Sequence, residues 1–302
     1  MDCKICSTPN APVLYHLKYP RAPEDSLNVL RCANCGFTFS EYEAHESRLE
    51  SDGHGPGGVP DVDPKYTAKF GGRIELYRKV CGTLAGKRVL DIGAGGGAWL
   101  MAAQREGAAV EGIELCADCR EYAFKENGLR LDHRPVQDPY WQSRAGRYDL
   151  VTAWDVFEHV PDPRRFIRDC TALVAPHGHL LLTTPVRDTE LDNIGALLYH
   201  CTGGRAQFVL QSRYSRTHLQ IFHSHQLKQL LERGGLRPVY YRHCQEYSFP
   251  LERYFANYGC PPTRAAMLGR MARWVLRVLP MENKVMGVFE KSSGEPAPVA
   301  AA

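Results

Sequence analysis

The segment Arg88-Val89-Leu90-Asp91-Ile92-Gly93-Ala94-Gly95-Gly96-Gly97-Ala98-Trp99-Leu100 constrains this chain more than any other. Val89, Leu90 and Ile92 read as a short buried strand, the glycines at 93, 95, 96 and 97 as a turn, and Ala98-Trp99-Leu100 as the start of a helix. Glycines placed there permit positive φ and let a ligand approach the backbone closely. Around this segment, from about Tyr66 to Glu246, strand-like and helix-like stretches alternate, which is the pattern of a parallel α/β sheet.

Glycine spacing alone does not choose the ligand. Gly93-x-Gly95-x-x-Ala98 also fits the dinucleotide pattern, with Ala in its last place. Charge separates the alternatives. A dinucleotide sets an anionic pyrophosphate at the helix N-terminus, where a neighbouring carboxylate such as Asp91 is unfavourable. S-adenosylmethionine carries no phosphate but has an ammonium and a sulfonium, which Asp91 suits. The stretch Asp91–Gly97 resembles the first signature motif of class I methyltransferases, with Gly93, Gly95 and Gly97 lining the cofactor loop. That resemblance implies a Rossmann-like, seven-stranded α/β sheet.

Later segments fall where the resemblance needs them. Val110–Leu115 reads as a second strand, with Glu114 lying 23 residues after Asp91. A carboxylate at that strand end can accept both ribose hydroxyls. Val136-Gln137-Asp138 reads as the end of a weaker third strand, and the resemblance places Asp138 beside the adenine amino group. Tyr148–Pro163 is similar to the family's fourth strand and its following loop, D-x-x-E-H-x-x-D-P, here starting at Asp155, which joins the cofactor set. Asp162 then caps a helix with Pro163 at its first position and Phe166, Ile167, Cys170 and Leu173 on one face. His179–Thr184, Leu236–His243 and Asn283–Lys291 are the remaining strands, with a helical insertion at about 250–280 before the last.

Cys3-x-x-Cys6 and Cys32-x-x-Cys35 form two knuckles separated by 25 residues. Four thiolates supply a closed tetrahedral zinc site, and so small a segment needs a staple to fold. The chain therefore divides into a zinc ribbon at 1–46, a linker rich in Gly, Pro and Asp at 47–64, a methyltransferase domain at 65–292 and a low-complexity tail at 293–302. Eleven cysteines, with no secretory signal at the start of the given sequence, point to thiols and metal ligands and to a cytoplasmic setting.

Ribbons joined to such domains resemble enzymes acting on sugars and natural products, and others acting on RNA. Residues 1–50 hold five Lys or Arg and seven Asp or Glu, so the ribbon carries the wrong charge for phosphates. The formal charge of the whole chain, +3, adds no case for nucleic acid. The expected acceptor is a small molecule, a sugar or a natural-product or glycan precursor, nucleotide- or lipid-linked. An RNA methyltransferase, an NAD(P)-dependent oxidoreductase and a non-enzymatic zinc-ribbon adaptor are the alternatives.

Methyl transfer from a sulfonium depends mostly on placing the acceptor in a dry pocket, but a hydroxyl or carbon acid also needs a proton acceptor. His159 and His218 are the candidates. In the stretch 186–222, Arg187, Arg205, Arg213 and Arg216 are either a clamp for a substrate phosphate or a solvated face, the latter being the expectation. The amphipathic segment Thr263–Leu279 reads as a helix packed on the sheet with its arginines in water, or as one lying on a membrane; packing is the expectation.

Overall fold

The computed structural model describes residues 1–19, 22–41, 64–214, 217–247, 251–257, 260–279 and 281–292. The expected linker (apart from Pro64), the tail and Arg216 lie outside the described residues. In chain order the elements are β1 (Val13–Tyr19), β2 (Ala22–Arg31), β3 (Thr38–Ser40), α1 (Pro64–Cys81), β4 (Arg88–Ile92), α2 (Ala98–Arg105), β5 (Ala109–Ile113), α3 (Ala117–Asn127), α4 (Pro139–Gln142) and β6 (Tyr148–Trp154). They continue with α5 (Pro163–Leu173), β7 (Val174–Pro185), α6 (Glu190–Cys201), α7 (Phe208–Arg213), β8 (Gln220–Ile221), α8 (Ser224–Arg233), β9 (Leu236–Cys244), α9 (Leu251–Asn257), α10 (Pro262–Val278) and β10 (Lys284–Lys291). The described residues gather into two compact units: those within 1–43, 185–224 and 243–285, and those within 44–184, 225–242 and 286–302.

The second unit is built on a six-stranded sheet in the order β5-β4-β6-β7-β10-β9. The pairs β4·β5, β4·β6 and β6·β7 are parallel. Its core joins Val89, Leu150, Leu181 and Val288 of adjacent strands to Ile74 and Tyr77 of α1 and to Trp99, Leu100 and Ala103 of α2. The chain leaves β4 toward β5 on one side and reaches β6 on the other. The carboxyl ends of β4 and β6 therefore flank a topological switch point, where open α/β sheets bind ligands. Helix α5 starts as its sequence predicts: the Asp162 carboxylate accepts the Arg165 N–H at 2.9 Å, and Pro163, Phe166, Ile167, Cys170 and Leu173 are buried.

Among the described residues six strands, not seven, make this sheet. The third strand expected to end at Val136–Asp138 is absent, and one parallel bridge, Ile113↔Asp132, stands in its place. Two local preferences account for this. Pro135 has no N–H to give a ladder. Asp138 turns the chain into α4 by accepting the Tyr140 N–H at 2.8 Å, with Pro139 at the first helical position.

In the first unit, β1, β2, β3 and β8 form a four-stranded sheet whose neighbouring pairs are all antiparallel. Thr38 and Phe39 pair with Ile221 and Gln220, so residues far along the chain complete the N-terminal sheet. Tyr15, Leu17, Leu27 and Val29 share a core with Leu210, Tyr214 and Ile221. Tyr199 Oη accepts the His16 N–H at 3.1 Å, and Tyr15 meets the Tyr199 ring edge-on at 5.1 Å.

Candidate active site and metal centre

The loop after β4 has the backbone its glycines were expected to supply. Gly93, Gly95 and Gly97 have φ of 74°, 53° and 81°. A Cβ on Gly93 would lie 2.6 Å from Val156 Cγ2, and one on Gly97 would lie 2.4 Å from Leu129 Cδ1, so those two glycines let neighbouring side chains close over the loop. Gly95 differs: a Cβ there would meet nothing within 4 Å. Open space stands over Gly95.

Glu114 faces the same place. Its Oε2 accepts the Gly95 N–H at 2.6 Å and its Oε1 accepts the Cys116 N–H at 2.8 Å. Each carboxylate oxygen can accept more than one hydrogen bond, so the side chain is fixed in orientation and keeps acceptor capacity for a diol. Asp91 is buried at the end of β4 and accepts the Thr152 Oγ1–H at 2.6 Å. Burial pushes its carboxyl up to about 8, against the pull of the Thr152 hydrogen bond and of the Arg73 charge. A cation bound beside it would draw the proton away.

Asp155, just past β6, has a left-handed φ of 57° and accepts the Thr183 Oγ1–H at 3.1 Å, while its N–H donates to the Thr183 carbonyl at 2.9 Å. Aspartate is one of the few non-glycine residues that adopt this region readily. Asp91, the glycine loop, Glu114 and Asp155 thus all lie at carboxyl ends of adjacent strands. Asp138 stands outside the hydrogen-bonded group around Glu114, since its carboxylate caps α4.

Arg73 is a residue that sequence reasoning missed. It is buried on α1, with its guanidinium 4.0 Å from the Trp154 ring centre and 4.9 Å from that of Phe70. The available signal was an arginine set among Phe70, Ile74 and Tyr77 at helical spacing, where an ordinary amphipathic helix carries an apolar side chain.

The two histidines are held differently. His159 follows β6 in the second unit, its Nε2 3.9 Å from Glu158 Oε1, and the buried Glu158 accepts the Thr184 Oγ1–H at 2.9 Å. His218 lies in the first unit, with Nδ1 2.7 Å from the Arg213 carbonyl oxygen. A carbonyl only accepts, so Nδ1 carries the proton and Nε2 is the basic nitrogen of the neutral ring. Arg213 neither clamps a phosphate nor lines a solvated face. It is buried against Asp192, with Nη2 to Oδ2 at 3.0 Å, and also donates to the Val186 carbonyl.

The four N-terminal cysteines converge. Cys3, Cys6, Cys32 and Cys35 place their sulfurs within 4.8 Å of one another, with Cys3···Cys35 at 3.6 Å and Cys6···Cys32 at 3.5 Å. These separations are far too long for disulfides. Tetrahedral zinc with bonds of about 2.3 Å gives sulfur–sulfur edges of about 3.8 Å, so the cluster has the size of a metal cage. The Ile5 and Cys35 N–H groups point at Cys3 and Cys32 sulfurs at 3.4 and 3.5 Å, as thiolate knuckles require.

Parallel strands around a switch point, a glycine loop and an anchored acidic residue on the next strand define the class I methyltransferase fold. Comparison with known proteins agrees. The methyltransferase domain family matches residues 72–241, more than half of the chain. The chain belongs to that family. Among curated relatives, it is 34% identical over 158 residues to a ubiquinone biosynthesis O-methyltransferase of Coxiella burnetii, covering 51% of this chain and 65% of the relative. To the protein of the same name from Bordetella avium it is 32% identical over 170 residues, covering 55% of this chain and 68% of the relative. The chain thus spans just under two thirds of the Coxiella relative. Among solved structures, a candidate methyltransferase of Bacillus halodurans superposes with a TM-score of 0.53 at 15% identity, over 74% of this chain and 100% of the other. The YcgJ protein of Bacillus subtilis gives 0.51 at 16%, again over 74% and 100%.

Proposed function

We propose that the chain transfers the methyl group of S-adenosylmethionine to a hydroxyl oxygen of a small, quinone-like acceptor. The observation that carries the cofactor is the Glu114 carboxylate, held by the Gly95 and Cys116 N–H groups beneath open space at the switch point. When bound, S-adenosylmethionine supplies an electrophilic methyl carbon on its sulfonium. Glu114 accepts the two ribose hydroxyls, Asp91 takes the ammonium, and Asp155 lines the loop opposite. Arg73, buried beside Trp154, holds Asp91 closer to ionisation than burial alone would allow. Asp138 is retained as an adenine contact through whatever acceptor capacity its capping bond leaves.

An oxygen acceptor is favoured by the relatives' shared name, and that name gives no support to the sugar expected from sequence. A phenolic hydroxyl must lose its proton as the oxygen–carbon bond forms. His159 or His218 through Nε2 is the base, and the oriented tautomer of His218 suits that task. The cysteine cage holds one structural zinc ion, because four thiolates leave no position open for water or substrate.

The test is methyl transfer by the full chain to a panel of quinol precursors, soluble catechols and nucleotide sugars, read by mass spectrometry as the gain of one methyl group. Transfer to a phenolic oxygen is the expected result. Transfer confined to sugars or to nitrogen would overturn the acceptor reading, and failure to bind S-adenosylhomocysteine would overturn the whole proposal.

A further inference from the structure

Helix α10 does not end with its apolar side chains in a core, as a helix packed on the sheet would. Its inner face is narrow: Ala265 and Gly269 are buried, and a Cβ on Gly269 would lie 2.6 Å from Glu252 Cγ of α9. Arg273 closes that contact by pairing with Glu252. Met267, Met271, Trp274 and Val278 recur every three or four residues on the far side of the helix and are exposed, Trp274 by 67% and Met271 by 57%. Arg270 and Arg277 are exposed along one margin of this stripe and Arg264 along the other. Residues 262–279 contain four arginines and no carboxylate, in a chain whose net charge is only +3.

We infer that this face of α10 docks on an anionic lipid bilayer, lying in the interface with Trp274 and the methionines in the acyl boundary and Arg264, Arg270 and Arg277 at the headgroups. Charge chooses the occupant. A second copy set face to face by a two-fold axis would bring one cationic margin against another, whereas anionic headgroups complement all three arginines. The apolar stripe is the width of one helix and carries a tryptophan, whose apolar body and polar N–H suit the headgroup boundary. Among the described residues no helix is long and apolar enough to cross a membrane, so the contact is peripheral. It does not depend on which acceptor is methylated.

The experiment is co-sedimentation of the full chain with vesicles of phosphatidylcholine alone and of equal parts phosphatidylcholine and phosphatidylglycerol. Binding to the mixed vesicles, reversed by high salt, with a blue shift of tryptophan emission that Trp274→Phe removes, is expected. Met271→Asp should abolish sedimentation. The triple change Arg264→Gln, Arg270→Gln, Arg277→Gln should weaken it about a hundredfold, near fivefold for each charge withdrawn from the surface. Unchanged affinity for S-adenosylhomocysteine and an unchanged circular dichroism spectrum would show that these variants fold. The inference falls if the wild-type chain ignores anionic vesicles, if binding survives these substitutions, or if Met271→Asp instead dissolves a dimer. Trp274→Phe is a conservative change at an exposed position, so the emission readout decides the question even if Met271→Asp fails to fold.

Discussion

Glu114 Oε2 accepts the Gly95 N–H at 2.6 Å, so one carboxylate ties the end of β5 to the glycine loop after β4. The group proposed to hold the ribose therefore also shapes the loop. Glu114→Ala should lower affinity for S-adenosylhomocysteine at least tenfold, since charge-assisted hydrogen bonds of about 1.5–3 kcal/mol are lost. It should also cost about 1–3 kcal/mol of stability, because the Gly95 N–H loses its acceptor. Calorimetry and thermal unfolding measure the two separately. Unchanged affinity would remove Glu114 from the site.

With Asp91 as the proposed ammonium contact, cofactor binding should depend on pH. Burial pushes its carboxyl up to about 8, which favours the protonated form at neutral pH. Binding a cation selects the carboxylate and releases the proton. Affinity for S-adenosylhomocysteine, which keeps the ammonium, should then rise with pH by up to tenfold per unit and level off above about 8. The stability sign is opposite. A carboxyl raised from 3.8 favours the folded state below that value, and the contribution is lost as pH climbs to about 8. Asp91→Asn, always neutral, should therefore gain stability relative to wild type across that window while binding weakly at every pH. A flat binding profile between pH 6 and 8, measured as titration points spaced by about one unit, would contradict it.

Removing metal should loosen more than the ribbon. Since Tyr15, Leu17, Leu27 and Val29 share a core with Leu210 and Tyr214, chelation or Cys32→Ser should raise amide exchange in α7 as well as in β1 and β2. Elemental analysis of protein purified under reducing conditions should give one zinc per chain. S-adenosylhomocysteine binding should persist. Ordered β1 and β2 without any metal would end the zinc proposal.

A base at His218 predicts that His218→Ala lowers turnover about 10²–10⁴-fold with cofactor affinity nearly constant. His218→Gln, which can still meet the Arg213 carbonyl but carries no basic nitrogen, should fare no better. The same pair of changes at His159 tests the other candidate. Full activity in both alanine variants would leave placement of the acceptor as the mechanism.

The parts of this molecule legible in its sequence are those written as contiguous runs. Asp91 to Gly97, Glu114, the Asp155–Pro163 stretch and the paired cysteines each announce local chemistry, and their strands and loops stand where expected. Capping misled at Asp138, where Asp followed by Pro starts a helix as readily as it ends a strand. Arg73 escaped because it belongs to no motif and is notable only for where its helix face points. β8 could not be read at all: a strand of two residues, Gln220–Ile221, has no periodicity, and its partners lie at the other end of the chain. For α10 the period was plain, but nothing in a period says whether the apolar side meets a core.

The pairing of Thr38 and Phe39 with Ile221 and Gln220 sets an order on biosynthesis. About 180 residues separate the partners, so at about 5–20 residues per second the edge of β3 waits on the order of 10–40 s for its neighbour to leave the ribosome. An unpaired edge of that duration invites association with other nascent chains. The cysteines need no such wait, because Cys3 to Cys35 emerge together within the first 35 residues. Metal capture at this knuckle pair would thus clasp the first three strands early, holding a template in shape until the distant segment arrives to finish it.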